Sequence, residues 1–362
     1  MQRVGDDKRS VTPMDALMVA EVHTEVLADS SNPQLLVHVT SEDGLVGVGE
    51  TWWGTYQPKA EPGTPVLPIA AMIDAVLAPL CLGRDSTDIS GIWHHLERQT
   101  SQYGAEGIVS TAISGIDVAL WDLLGKRRGV PTWQLLGSLQ HERLQAYASL
   151  HWLGDVDAAC RDATGAVAAG FRAVKLHEAD AEIVLGVRDA LGPDITLMVD
   201  MSGRVDEQGA LVFADRVAGA NLAWIEEPIY PYDDHAALAR IRERIAQPVA
   251  AGENVFSVAA FERLLRSGAI DVLQPDLVKC GGLTPAAAIA DLADEHGAVL
   301  CPHNFSLGPS LSANIAWAFT SKASARVEVP WLSPGHEFPA NTPMPVLVDG
   351  YLSPPIVPGL ST

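Results

Sequence analysis

From about residue 143 onward, short apolar runs alternate with amphipathic, Ala-rich segments. The runs predict strands at Gln145–Leu150, Ala173–Leu176, Thr196–Val199, Ala223–Ile225, Val249–Ala251, Val272–Gln274, Val299–Cys301 and Arg326–Val329. The segments between them carry apolar residues at helical spacing, as in Asp157–Ala169, Ala181–Leu191, Ala210–Ala218, Ala236–Ile245, Ala259–Ser267 and Pro285–His296. Strands buried on both faces read as unbroken apolar runs, so this alternation predicts a parallel α/β barrel rather than an open sheet.

The first third has a different texture. Residues 16–28 and 34–40 predict strands, and the Glu42-Asp43-Gly44 turn leads into a third at Leu45–Glu50, giving an antiparallel meander. A Trp-, Pro- and Gly-rich loop follows (Trp52 to Pro68), then helices at Ile69–Leu80, Asp88–Gln99 and Ser110–Gly125. The chain therefore divides into an α+β unit (1–137), a barrel unit (138–332) and a Pro-rich tail (333–362) expected to return to the N-terminal unit.

Composition narrows the options. A chain of 362 residues, 48% apolar and 19% charged, can bury a large core. Its formal charge of −21 argues against nucleic acid, whose phosphates need Lys and Arg, and would repel an anionic substrate unless a local cation intervened. The four cysteines show no CxxC spacing and read as thiols of a reducing compartment. With no stretch of about 18 apolar residues and no signal-peptide core, neither a membrane span nor export is expected, and a cytoplasmic location fits.

Candidate chemistry lies at the strand ends, because polar groups at the C-terminal ends of barrel strands face the active site. Strand two ends in Lys175-Leu176-His177, strand three at Asp200, and strand four in Glu226-Glu227-Pro228. Strand five ends in Gly252-Glu253-Asn254, strand six in Pro275-Asp276 and strand seven in Pro302-His303-Asn304, while strand eight carries Glu328. Taken singly, each acid is a surface or salt-bridged residue in most proteins. Three acids at consecutive strand ends, Asp200, Glu226 and Glu253, would repel one another unless a cation sat among them, and an all-oxygen set suits Mg²⁺.

Asp276 and His303 end adjacent strands, and a carboxylate on one imidazole nitrogen fixes the tautomer and raises the basicity of the other. An inward Lys175 near a cation is expected to have a depressed pKa, serving as a base or as a partner for a substrate carboxylate; the alternative is a lysine snorkelling out of the mouth. Glu328 could hydrogen-bond a far carboxylate oxygen or form an ordinary barrel-end ion pair. Gly281-Gly282 lacks the phosphate-loop frame and reads as a tight turn, with Lys279 a turn residue or a more distant cation.

These motifs together resemble the enolase superfamily and, within it, the mandelate racemase subgroup. The resemblance covers nearly the whole chain. It is carried by Gly44-Leu45-Val46-Gly47-Val48-Gly49-Glu50, Ile116-Asp117-Val118-Ala119-Leu120-Trp121-Asp122-Leu123, Gly129-Val130-Pro131, Leu135-Leu136-Gly137, Trp224-Ile225-Glu226-Glu227-Pro228, Gly252-Glu253-Asn254 and Gln274-Pro275-Asp276. It implies a modified (β/α)7β TIM-type barrel under an α+β capping domain, with Asp200, Glu226 and Glu253 as Mg²⁺ ligands, Asp276 and His303 as a dyad, and Glu328 as the strand-eight acid. It also implies a homo-oligomer. One departure stands out: where the subgroup has Lys-x-Lys on strand two, this chain has Lys175-Leu176-His177, so the second lysine base is replaced by His177.

The chemistry so implied is removal of the proton α to a substrate carboxylate, with Mg²⁺ and Lys175 stabilising charge on the carboxylate oxygens. Dehydration of an acid sugar to a 2-keto-3-deoxy acid is the first expectation. A racemase, epimerase or lactone cycloisomerase starts with the same proton transfer. A non-catalytic acid-binding barrel is a different class, and a zinc or two-metal hydrolase would need more than the solitary His151 on strand one. Specificity is expected from loops 27–34 and 52–65, where Trp52, Trp53 and Tyr56 could cover the substrate; the lack of an Arg pair there favours monoacids or lactones over diacids.

Overall fold

The computed structural model describes residues 17–27, 33–52, 66–331 and 344–360. The N-terminal unit is the three-stranded antiparallel sheet that the meander predicts, with β1 (Val19–Leu27), β2 (Gln34–Ser41) and β3 (Val46–Thr51) in that order. Three helical stretches pack on it. The first runs as α1 (Leu67–Ala71) through a π-helical turn (Met72–Leu77) into α2 (Ala78–Cys81). It is followed by α3 (Ile89–Thr100), capped by the Asp88 carboxylate on Gly91 N–H, and α4 (Ile108–Arg128).

Helix α4 starts earlier and ends later than the apolar periodicity predicts. Gly107 starts it at φ +72°, and its last turn, Lys126-Arg127-Arg128, suits the negative helix end before the left-handed cap Gly129. By length and composition α4 could cross a membrane, but 83% of its apolar window is buried inside the protein, where it serves as a core helix. It lies very close to β3: a Cβ at Gly47 would sit 2.1 Å from the Ala119 carbonyl oxygen, and one at Gly49 would sit 2.2 Å from that of Gly115. The Gly-Val-Gly of β3 is therefore a packing requirement.

A short helix α5 (Trp133–Leu136) leads into the barrel. Eight parallel strands follow in chain order: β4 (Leu144–Ser149), β5 (Ala173–Leu176), β6 (Thr196–Asp200), β7 (Ile225–Glu226), β8 (Val249–Ala251), β9 (Val272–Leu273), β10 (Val299–Leu300) and β11 (Arg326–Pro330). Each pairs with the next from β4 to β10, β11 pairs with β4, and the Leu300–Ser324 bridge brings β10 to the start of β11. The intervening helices are α6 (Val156–Ala168), α7 (Ala181–Leu191), α8 (Glu207–Arg216), α9 (His235–Arg244), α10 (Val258–Arg266), α11 (Leu283–His296) and α12 (Pro309–Thr320). Seven helices between eight strands make a (β/α)7β barrel with a separate α+β cap.

The tail divides its contacts. Its strand β12 (Tyr351–Leu352) pairs with β4 in the barrel, whereas Leu360 N–H donates to Asp122 of α4 at 2.7 Å and Gly359 bridges Pro131. The Pro355 carbonyl also accepts from Trp133 Nε1 at 2.7 Å, so among the described residues the tail touches both units. Trp53, Tyr56 and most of the two proposed specificity loops lie outside the described residues.

Candidate active site

Strand pairing sets the mouth of the barrel. Asp200 and Glu226 are register partners across β6 and β7, and Glu253 follows β8, so three consecutive strands deliver three carboxylates to one place. One oxygen from each lies within 4.8 Å of the others. Asp200 is fixed by Ser202 N–H (2.6 Å), and Glu253 accepts from Asn254 Nδ2 (3.0 Å). Glu226, fully buried, accepts on one oxygen from Trp224 Nε1 (2.9 Å) and Gln274 Nε2 (2.6 Å).

Lys175 projects from β5 to the floor of the cluster. Its Nζ lies 2.5 Å from Glu226 Oε1 and 2.8 Å from Glu328 Oε1, with no exposed surface. Burial works against its charge, but the Glu226 and Glu328 carboxylates outweigh burial and hold its pKa above the ordinary lysine range. Two acids, Glu226 and Glu328, set this direction. Lys175 is a fixed cation here and does not snorkel. Glu328 on β11 also accepts from Tyr147 OH and from Asn304 N–H, each at 3.0 Å. Burial opposes its ionisation, yet Lys175 and His303 bring its pKa down to about 2.

Two imidazoles flank the row of acids. His303 is held through Nδ1 by Asp276 Oδ2 at 2.9 Å, and its Nε2 lies 2.9 Å from Glu253 Oε2. Asp276 and His303 form a parallel bridge, so neighbouring strand ends set this contact. Burial lowers the basicity of His303, but Glu253 and Glu328 outweigh it and raise the pKa well above the usual histidine value. On the other side, His177 Nδ1 is bonded to the Leu150 carbonyl, and Nε2 lies 3.2 Å from Asp200 Oδ2. Its pKa is also raised: burial opposes this, but Asp200 prevails.

The carboxylates crowd one another. Burial, aided by Asp200, Glu328 and Glu253, pushes Glu226 up to about 7 against the pull of Lys175. The adjacent Glu227, whose φ is +41°, accepts from Gly252 N–H at 3.1 Å, and burial raises it well above the carboxylate range. Three converging acid oxygens, one of them driven toward protonation by its neighbours, form a donor set that a hard divalent cation fits, since the ion would remove the repulsion. Asp200, Glu226 and Glu253 are the residues that would hold it.

The structure thus brings together all eight candidate residues: Asp200, Glu226, Glu253, Lys175, His177, Asp276, His303 and Glu328. Lys279 follows β9 in the turn, as its sequence position suggests. It is buried, with Nζ 3.9 Å from Asp276 Oδ2 and 4.1 Å above the Trp52 ring. Gly282 lies so close to α4 that a Cβ would sit 2.4 Å from Asp117, whose carboxylate accepts from Thr284 N–H at the start of α11. The Gly-Gly pair therefore serves cap docking. Three further side chains support the acids: Tyr147 on Glu328, and Trp224 and Gln274, both inside the recognised motifs, on Glu226. The last two lie two residues before Glu226 and Asp276, and period-two spacing along a strand puts such pairs on one face.

A capped parallel barrel with carboxylates at successive strand ends and proton-transfer groups on both sides of them belongs to the enzymes that use a divalent metal to move protons. This chain belongs to the mandelate racemase / muconate lactonizing enzyme family of the enolase superfamily. Residues 9–137 match the family description "Mandelate racemase / muconate lactonizing enzyme, N-terminal domain", and residues 158–362 match "Enolase C-terminal domain-like". The chain is 35% identical over 288 residues to a D-galactarolactone cycloisomerase of Agrobacterium fabrum, covering 77% of this chain and 73% of the relative. It is 36% identical over 287 residues to an L-rhamnonate dehydratase of Saccharopolyspora erythraea, covering 75% and 68%. Among solved structures, a racemase from Streptomyces coelicolor with bound magnesium superposes with a TM-score of 0.82 at 27% identity, covering 95% of this chain and 97% of that one.

Proposed function

We propose that this protein is a Mg²⁺-dependent dehydratase of an acid sugar, converting an aldonate or aldarate to its 2-keto-3-deoxy acid. The observation that carries the reading is the pair of imidazoles, each pinned through Nδ1 and each presenting Nε2 to the carboxylate row. In the family context, relatives that are dehydratases and cycloisomerases of sugar acids and lactones support it.

Bound Mg²⁺ would supply Lewis-acid stabilisation of negative charge on the substrate carboxylate. Lys175, locked by two acids, adds a fixed positive charge beside the same oxygens, where it stabilises the enediolate more than the ground state. An imidazole Nε2 takes the C2 proton. The C3–O bond then breaks as the His303 imidazolium, backed by Asp276, passes a proton to the departing hydroxyl, so water leaves and the enol ketonises. Glu328 keeps Lys175 and the Asn304 backbone in place. The deeply buried thiols Cys81 and Cys301, both raised to about 12 by burial, fit the reducing cytoplasm that we infer.

Incubating the purified protein and Mg²⁺ with a panel of aldonates, aldarates and sugar lactones tests the proposal, with keto product read as the semicarbazone. A Mg²⁺-dependent 2-keto acid from one or more acids is expected. Loss of C2 hydrogen without any keto product would favour the second reading, a cycloisomerase or epimerase, which the 35% identical cycloisomerase relative supports.

A further inference from the structure

The last residues of β3 reach into the barrel mouth and meet the two loops that carry the His-Asp pair. Glu50 is 2% exposed. Its Oε1 accepts from Gln34 Nε2 (2.9 Å) and from the Ser306 hydroxyl, and its Oε2 accepts from Ser310 N–H (3.0 Å). Gln34 also donates to the Leu307 carbonyl at 2.7 Å. Every one of these barrel partners follows His303 by three to seven residues. Ser310 lies in the first turn of α12, where free N–H groups and the helix dipole favour an anion.

The network continues inward. Asn304 Nδ2 donates to the Ser306 carbonyl (2.6 Å), Asn304 Oδ1 accepts from Ser310 Oγ (3.1 Å), and Asn304 N–H donates to Glu328 (3.0 Å). A line of hydrogen bonds thus joins the cap to the residue directly after His303. The next two cap residues meet the Asp276 loop: Thr51 Oγ1, whose closest acceptor is the Thr111 carbonyl (2.5 Å), also lies 3.1 Å from the Val278 carbonyl, and the Trp52 ring receives Lys279. Covering the mouth could have been done with apolar contacts, and a buried carboxylate is costly unless its donors are fixed. Using one here, with donors from the cap and a single barrel loop, trades stability for directional placement.

We propose that Glu50 is a positioning residue for His303: the cap sets the aim of the strand-seven imidazole through the Glu50–Ser306–Ser310 contacts. The consequence for turnover rests on the functional reading above; the placement itself does not.

The test uses full-length, Mg²⁺-loaded protein labelled with ¹³C-histidine, with ring resonances assigned by His303→Asn and His177→Asn. In Glu50→Gln the amide NH₂ must face a donor, so His303 resonances are expected to shift or broaden while those of His177 stay put. In turnover, release of C2 deuterium from the C2 epimer that depends on His303 should fall about ten- to a hundredfold in kcat. KM should change little, and release from the opposite epimer should persist. Unchanged His303 resonances, or equal perturbation of both histidines and both epimers, would overturn the proposal. If Glu50→Gln does not fold, Ser306→Ala replaces it, with the same His303-selective change required at smaller size. Wild-type protein that acts on no acid would defeat the functional reading, while the resonances would still decide the role of Glu50.

Discussion

His177 and His303 face the same row of carboxylates from opposite ends, at 3.2 Å from Asp200 and 2.9 Å from Glu253, but they are anchored differently. The partner of His177 Nδ1 is the Leu150 carbonyl, a neutral acceptor that fixes the tautomer and nothing more. The partner of His303 is the Asp276 carboxylate, itself held by Val278 N–H at 2.9 Å with Lys279 beside it. A carboxylate anchor stabilises the imidazolium as well as orienting the ring. On the proposed function, that difference assigns proton donation to the His303 side and leaves His177 to accept a proton or hold the substrate.

Substitutions can break this comparison, beginning with what both sides share. Glu226→Gln removes the central carboxylate, and we expect turnover to fall by more than about a thousandfold on both sides alike, with loss of tight Mg²⁺ binding by calorimetry. His303→Asn should cost about a thousandfold in keto-acid formation, the middle of the range for a general acid, at nearly unchanged KM. Asp276→Asn leaves the ring hydrogen-bonded but removes the charge behind it. A drop of about a hundredfold is expected, and an effect no larger than that of His177→Asn would erase the distinction between the anchors. His177→Asn should be the mildest, about tenfold on dehydration of the epimer whose C2 hydrogen faces His303, yet should abolish hydrogen loss from the other C2 epimer. Steady-state kinetics on each epimer separates these cases.

Much of this site was legible in the chain because barrel geometry turns strand order into spatial order. Asp200, Glu226 and Glu253 could be read as neighbours once the apolar runs before them were taken as consecutive strands, and Asp276 and His303 likewise. The two-residue β7 and β9 were still recognisable, since both are buried on both faces. What the chain did not reveal depends on contacts across tertiary structure. The direction of the Lys175 pKa follows from two acids 51 and 153 positions away, Glu226 and Glu328. Glu50 looked like the end of a hairpin, and its partners at 306 and 310 are over 250 positions distant. The π-turn at Met72–Leu77 sits inside an ordinary helical pattern, and nothing local marks it. The Gly281-Gly282 turn is legible as a turn, but its cause, the close approach of Asp117, belongs to another domain.

The central claim is that this protein takes the hydrogen from the carbon beside a substrate carboxylate. Acid sugars deuterated at C2 test it directly, with the label followed by NMR in the presence and absence of Mg²⁺. The expected result is Mg²⁺-dependent release of C2 deuterium to solvent from at least one acid, abolished in Glu226→Gln. An acid that binds and is converted to product with its C2 label fully retained would contradict the account.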